Sequence, residues 1–350
     1  MMQDQPQRPH PEALPRRHAP HHLGKALLAI PLVAAAGWLT YKSRGIPRNP
    51  PLPEALPGQR LTLETADGQL SYYRAGPSRP AETPEPPLLL VHSVNAAGSA
   101  YEVGPIFGPL TATRAVYALE LPGFGFSERR RRLYTPQLMT SAVLAMAAQI
   151  RADHAGTRVD ALALSLSCEF LARAAVEAPD TFGCLALVSP TGFDRREPRD
   201  GPPGSNRGMP ALYKAFTGGP WSRCLFDLLT SRVSIRYFLE KTWGSKAIDE
   251  GLLEYDYLST HQDGAQHAPY SFVSGYLFSR DISRIYDRLS HPVWMVHGTR
   301  GDFTDYRGKA RVEGRANWTI EVFDTGALPH FEEPHRFNTQ LRSFLAPHAG

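Results

Sequence analysis

The sequence predicts an α/β protein, a mostly parallel sheet with helices on both faces and a long helical insertion. Three observations carry this. A hairpin pattern opens the body, short apolar runs then alternate with helical stretches, and a hundred-residue block late in the chain breaks that rhythm. Residues 60–65 and 69–74 alternate around Ala66-Asp67-Gly68, which reads as two antiparallel strands joined by a tight turn. The runs at 87–93 (PLLLVHS), 115–119, 159–163 and 184–188 are nearly continuous in apolar residues, as parallel strands buried on both faces require. Between them, 100–109, 136–155 and 168–178 read as helices. Residues 293–297 and 318–323 read as two more strands, and 335–345 as a closing helix. Alternating β and α segments build a sheet covered on both sides. Residues 191–290 begin with FDRREPRDGPPGSNRG and continue as helical segments holding 15 of the 35 aromatic residues. Such density predicts an apolar cap over the strand ends, with most of its rings forming the cap's own core.

Ahead of this body lie three segments of different character. Residues 1–22, rich in Pro, His, Gln and Arg, read as a disordered tail, and His18, His21 and His22 read as part of that tail rather than as metal ligands. Residues 26–39 (ALLAIPLVAAAGWL) carry no charge. With Trp38 and Tyr41 at one end and basic residues on both flanks, 23–41 reads as an uncleaved membrane anchor. A signal peptide cleaved after export and an ordinary N-terminal helix are the alternatives, the first because Ala34-Ala35-Ala36 supplies a small-residue cleavage pattern. The flanking cations assign no orientation. Residues 42–57, with five prolines, read as a stiff linker. The catalytic-type core is then expected over 58–190 and 291–350, and the cap over 191–290.

Charge follows the same division. The chain's formal +4 arises in residues 1–48, which hold seven Lys/Arg and two acids, while the rest holds 31 basic and 32 acidic residues. The body therefore gives no electrostatic argument for nucleic-acid binding. Three cysteines without CxxC spacing indicate neither a disulfide framework nor a zinc site. No phosphate loop or HExxH pattern is present, so no cofactor and no metal is indicated. The run 129–132 of four arginines reads as a solvated loop rather than a lipid contact. Oligomeric state is not legible.

The chemistry concentrates in three stretches. VDALALSLSCEF places Ser165 between a strand and a helix, where a tight turn exposes the hydroxyl beside free backbone N–H groups. LLLVHSVNAAGSAYE ends a strand at His92-Ser93, and YALELPGFGFSE ends the next. Together these stretches resemble the α/β-hydrolase family over roughly residues 60–350, in its serine-nucleophile, capped form. The resemblance implies Ser165 as nucleophile, with the N–H groups of Ser93 and Leu166 as the oxyanion hole. The sequence departs from the family pattern at Ala163 and Ser167, where the elbow glycines usually stand.

The same resemblance implies an acid and a histidine later in the chain. The loop GTRGDFTDY offers Asp302 as the acid, with Asp305 as the alternative; the family more often places this residue at the Gly301 position. At the last loop many relatives read G-H-x-x-x-x-E-x-P, and here GALPHFEEP puts Ala327 in the histidine position. His330, three residues on, is then the expected base. His92 reads as structural, and His261 and His267 are outside candidates. Two functions follow as expectations. One is a serine hydrolase acting through an acyl-enzyme on an apolar ester, thioester or related small-molecule acyl substrate. The other is a binding protein that keeps the fold without a working triad, the reading that Ala327 favours.

Overall fold

The structure, a computed structural model, describes residues 41, 45–78, 85–194 and 198–346. The expected tail, and all of the expected anchor except Tyr41, lie outside the described residues. Among the described residues no helix is long and apolar enough to cross a membrane.

Eight strands form one sheet in the order β1-β2-β4-β3-β5-β6-β7-β8. They are β1 (Gln59–Thr65), β2 (Gly68–Ala75), β3 (Leu88–Val91), β4 (Val116–Glu120), β5 (Val159–Leu164), β6 (Phe182–Val188), β7 (Val293–Gly298) and β8 (Trp318–Phe323). The β1–β2 hairpin joins antiparallel, and β2 pairs antiparallel with β4; every pair from β4 to β8 is parallel. The apolar runs are central for the expected reason. Strands β3, β4, β5 and β7 are buried at every position, so both faces need apolar side chains.

The helices of the body are α1 (Gly104–Leu110), α2 (Pro136–Asp153) and α3 (Ser167–Glu177). Six more lie between β6 and β7: α4 (Pro210–Thr217), α5 (Ser222–Leu229), α6 (Arg232–Trp243), α7 (Glu250–Thr260), α8 (His267–Val273) and α9 (Ile282–Asp287). The chain closes with α10 (Pro329–Glu332) and α11 (Pro334–Leu345). Local chemistry starts several of these. Thr135 caps α2 by accepting from Leu138 N–H, with Pro136 at the first helical position; Ser231 and Asp249 cap α6 and α7 likewise.

One face of the sheet is filled by residues of α2 and α3, such as Met139, Met146, Phe170 and Leu171, and the other by residues of α1 and α11, such as Phe107, Leu110, Phe337 and Leu341. The helices between β6 and β7 pack around their own apolar side chains. Ile235, Leu239 and Trp243 of α6 meet Leu252, Leu253 and Tyr257 of α7. Seven of the insert's 15 rings are buried, including Tyr255, Tyr270 and Tyr286, six are partly buried, and Tyr237 and Phe238 are exposed.

The proline-rich segment ahead of β1 is laid along the insert instead of standing away from it. Arg48 reaches the buried Asp227 of α5 at 2.9 Å, and Asn49 N–H donates to the His261 carbonyl at 2.8 Å. Gln262 and Tyr255 donate to the Pro50 and Pro53 carbonyls. A segment without donors on its prolines still offers carbonyls, and the insert uses them.

Candidate active site

Strand β5 ends against a turn whose geometry isolates one hydroxyl. Ser165 has φ +53°, a left-handed conformation shared among the described non-glycine residues only with Asn49, Ala155 and Ser189. Its N–H donates to the Val188 carbonyl at 2.8 Å, and its own carbonyl accepts from Cys168 N–H, so the turn is fixed to β6 and to the start of α3. Ser167, in one of the family's glycine positions, is fully buried and donates its hydroxyl to the His92 carbonyl at 2.6 Å. That departure from glycine thus ties the elbow to the end of β3. Between Val159 and Ala175, Ser165 is the only residue that is not buried. Its Oγ has no hydrogen-bond partner among the described residues.

The oxyanion donors divide. Leu166, just after the nucleophile position, keeps an N–H with no partner among the described residues, at the N-terminus of α3 where partial positive charge collects. Ser93 is a correction. Its N–H donates to Glu102 Oε2 at 2.7 Å and its hydroxyl to Oε1 at 2.9 Å, so neither faces a substrate. Asn95 adds a third donor to the same carboxylate. The next residue, Val94, has an N–H with no partner among the described residues. Glu102 was invisible to sequence reasoning because nothing in a short helical turn marks one glutamate as the organiser of a loop nine residues earlier. Burial pushes its carboxyl pKa up, against those three donors.

The expected base is a second correction. His330 is fully buried in α10, with its ring between Phe331 and Phe337. Its Nε2 donates to the Glu102 carbonyl oxygen at 2.8 Å, and its Nδ1 is buried without a partner. Burial drives its pKa down to about 4, so the ring is neutral at pH 7, yet it is not joined to Ser165. The acid candidates sit elsewhere again. Asp302 is exposed, 3.5 Å from Lys241 Nζ, and Asp305 accepts from Arg307 at 3.0 Å. Among the described residues, neither carboxylate is hydrogen-bonded to a histidine. The structure does not bring Ser165, Asp302 and His330 together.

The two loops that carry the family's histidine and acid positions are bonded to the end of α6. Ala327 N–H donates to the Thr242 carbonyl at 2.9 Å, and Asp302 N–H to the Lys241 carbonyl at 3.0 Å. The last carbonyls of a helix have no partner within it, and here the body's two loops supply the donors. The fit is close. A Cβ on Gly301 would lie 2.4 Å from the Lys241 oxygen, and one on Gly326 would lie 2.5 Å from the Thr242 oxygen.

The other candidate histidines lie in the core or in the insert. His92 donates from Nδ1 to the Ser93 carbonyl and accepts Leu121 N–H at Nε2, a neutral bridge between the ends of β3 and β4 whose pKa burial lowers to about 4. His261 is bonded through Nδ1 to the Tyr257 carbonyl, and His267 is half-buried at the start of α8. No three His, Cys, Asp or Glu side chains among the described residues gather to hold a metal ion.

Sheet order, elbow and insert together define the architecture of a capped α/β hydrolase, and the comparisons agree. The model of the alpha/beta hydrolase family matches residues 88–340, and the chain belongs to that family. No curated protein matches the sequence. Among solved structures, a probable hydrolytic enzyme from Pseudomonas aeruginosa PAO1 is similar at TM-score 0.62 and 18% identity, covering 84% of this chain and 96% of its own. The carboxylesterase CesB from Bacillus subtilis is similar at 0.59 and 17%, covering 83% and 92%. A serine hydrolase involved in carbazole degradation is similar at 0.61 and 14%, covering 83% and 99%. At these identities the likeness concerns the fold.

Proposed function

We propose that this chain is a hydrolase acting at Ser165 on an apolar ester, thioester or related acyl substrate, through an acyl-enzyme that the backbone stabilises. The strained, unpartnered Ser165 on its strand-to-helix turn is the observation that carries this reading. In the reaction Ser165 Oγ bonds to the acyl carbon, the bond to the alcohol or thiol breaks, and the hydroxyl proton ends on that leaving group. Water then cleaves the acyl-enzyme and returns the proton to Ser165. Leu166 N–H and Val94 N–H are the donors for the tetrahedral oxyanion. His330 and Asp302 do not serve as relay, since one donates to a backbone carbonyl in the core and the other lies on the surface. Oxyanion contacts and binding without a complete triad still accelerate acyl transfer by about 10³-fold over water, and turnover of that low order is expected.

A second reading, in which the fold binds an acyl compound without converting it, is favoured by one observation. Ala327 stands at the histidine position, and the Lys241 carbonyl lies where a side chain at Gly301 would begin. Fluorophosphonate labelling and p-nitrophenyl ester hydrolysis by the full chain separate the two. The hydrolase reading expects slow labelling and slow hydrolysis that vanish in Ser165→Ala and persist in His330→Ala. Absence of both in the wild-type protein leaves the binding reading. Loss of activity in a folded His330→Ala variant would restore that residue as the base.

A further inference from the structure

Helix α6 is apolar on two faces, and the fold covers only one of them. Its inner face places Ile235, Leu239 and Trp243 in the core of the insert. On its outer face Val233 is 81% exposed, Tyr237 55% and Phe238 59%. Leu229, at the end of α5, continues the four-residue repeat of 229, 233 and 237 and is 44% exposed. At the other end Lys241 sits over the Tyr237 ring, and its carbonyl holds Asp302, next to Phe303, which is 58% exposed. Contiguous exposed apolar side chains of this kind mark a contact surface, so this row implies a second apolar medium. Along one flank, Arg232 and Arg236 are paired with Glu254 and Glu250 of α7, which keeps a charged edge beside the apolar stripe.

The chain itself says what that medium is. Arg48 is pinned to Asp227, two residues before Leu229, and it lies only seven steps along the chain from Tyr41 at the end of the uncharged run. Seven residues span at most about 25 Å when fully extended. Any bilayer entered by residues 23–41 therefore lies within that distance of Arg48, on the insert that carries α6. Aromatic and aliphatic residues on one helix face, with cations beside them, match a helix lying in a membrane interface. We propose that the outer face of α6 rests on the lipid surface entered by the N-terminal apolar run, which turns the insert toward the membrane. The proposal is independent of the reaction at Ser165.

The test uses the full chain and vesicles of phosphatidylcholine and phosphatidylglycerol. Cys168, Cys184 and Cys224 are buried, so the environment-sensitive dye NBD can be placed selectively through Val233→Cys, Tyr237→Cys or, as a control, Ala152→Cys. Ala152 is exposed near the end of α2, just ahead of β5 and at the opposite end of the sheet from the insert. The expected result is flotation with the vesicles, with blue-shifted emission quenched by doxyl-labelled acyl chains at 233 and 237 and unshifted emission at 152. Unshifted, unquenched emission at 233 and 237 on floated protein overturns the proposal, as does failure to float. Blue-shifted emission already present without vesicles overturns it too, placing the N-terminal segment or a second copy on this face.

Discussion

At Ser165 an L-residue is held where its Cβ crowds the backbone, a conformation that costs about 1–2 kcal/mol. A structural turn would shed that cost by placing glycine there, so the two smallest substitutions separate strain from chemistry. Ser165→Ala removes the hydroxyl and keeps the strain, and its thermal midpoint should match the wild-type protein. Ser165→Gly removes both and should gain about 1 kcal/mol, which raises Tm by about 2 °C in a calorimetric scan. Equal midpoints for the two variants would show that the turn is unstrained. This residue was legible in the sequence because an apolar run, a short polar turn and a helix leave little freedom in what the turn looks like. The catalytic partners were not legible. His330 lies in the correct loop, but its direction is decided by the Glu102 carbonyl, 228 residues away in the chain, against which the neighbouring rings of Phe331 and Phe337 hold it.

Among the elements, the end of α6 is the contact on which the site's closure depends. Gly244 caps it at φ +60°, and a Cβ there would lie 2.3 Å from Gly301 N. Gly244→Ala therefore combines left-handed strain with a backbone clash, and neither neighbour is a flexible side chain that can give way. Destabilisation by about 2 kcal/mol is expected, concentrated where α6 meets the body. Hydrogen exchange is the measurement: the amides of Asp302 and Ala327, which donate to Lys241 and Thr242, should lose protection while those of β5 keep it. Uniform loss across the sheet would mean that α6 is not a separable contact. The insert was recognisable from its aromatic density, but its docking was not. These bonds run between backbone carbonyls and backbone N–H groups, which carry no residue signature beyond the glycines that leave room for them. Buried strands such as β3 and β5, by contrast, write their environment into every side chain.

Across the whole molecule, packing this many polar groups into two cores makes stability respond to pH from opposite directions. His92 and His330 titrate near 6.5 in the unfolded chain and near 4 when folded, because burial opposes their charge. Between those values the unfolded state binds more protons, so acidification favours unfolding, by about 3 kcal/mol per histidine once pH falls to 4. Glu102, Glu120, Glu169 and Asp256 run the other way. Burial raises their pKa values, so the contribution they make when protonated is present in acid and is lost as pH rises through the raised values. The two sets therefore oppose each other on acidification, and loss of stability between pH 6.5 and 4 is the histidines' share. Denaturant titrations from pH 7 to pH 4 in wild type and His330→Gln test this through slope, not absolute stability. The variant should lose one such histidine's share of the fall, about 3 kcal/mol, even if it starts less stable. Identical slopes would show that His330 charges as readily in the folded protein as in the unfolded chain, and that its ring is open to solvent.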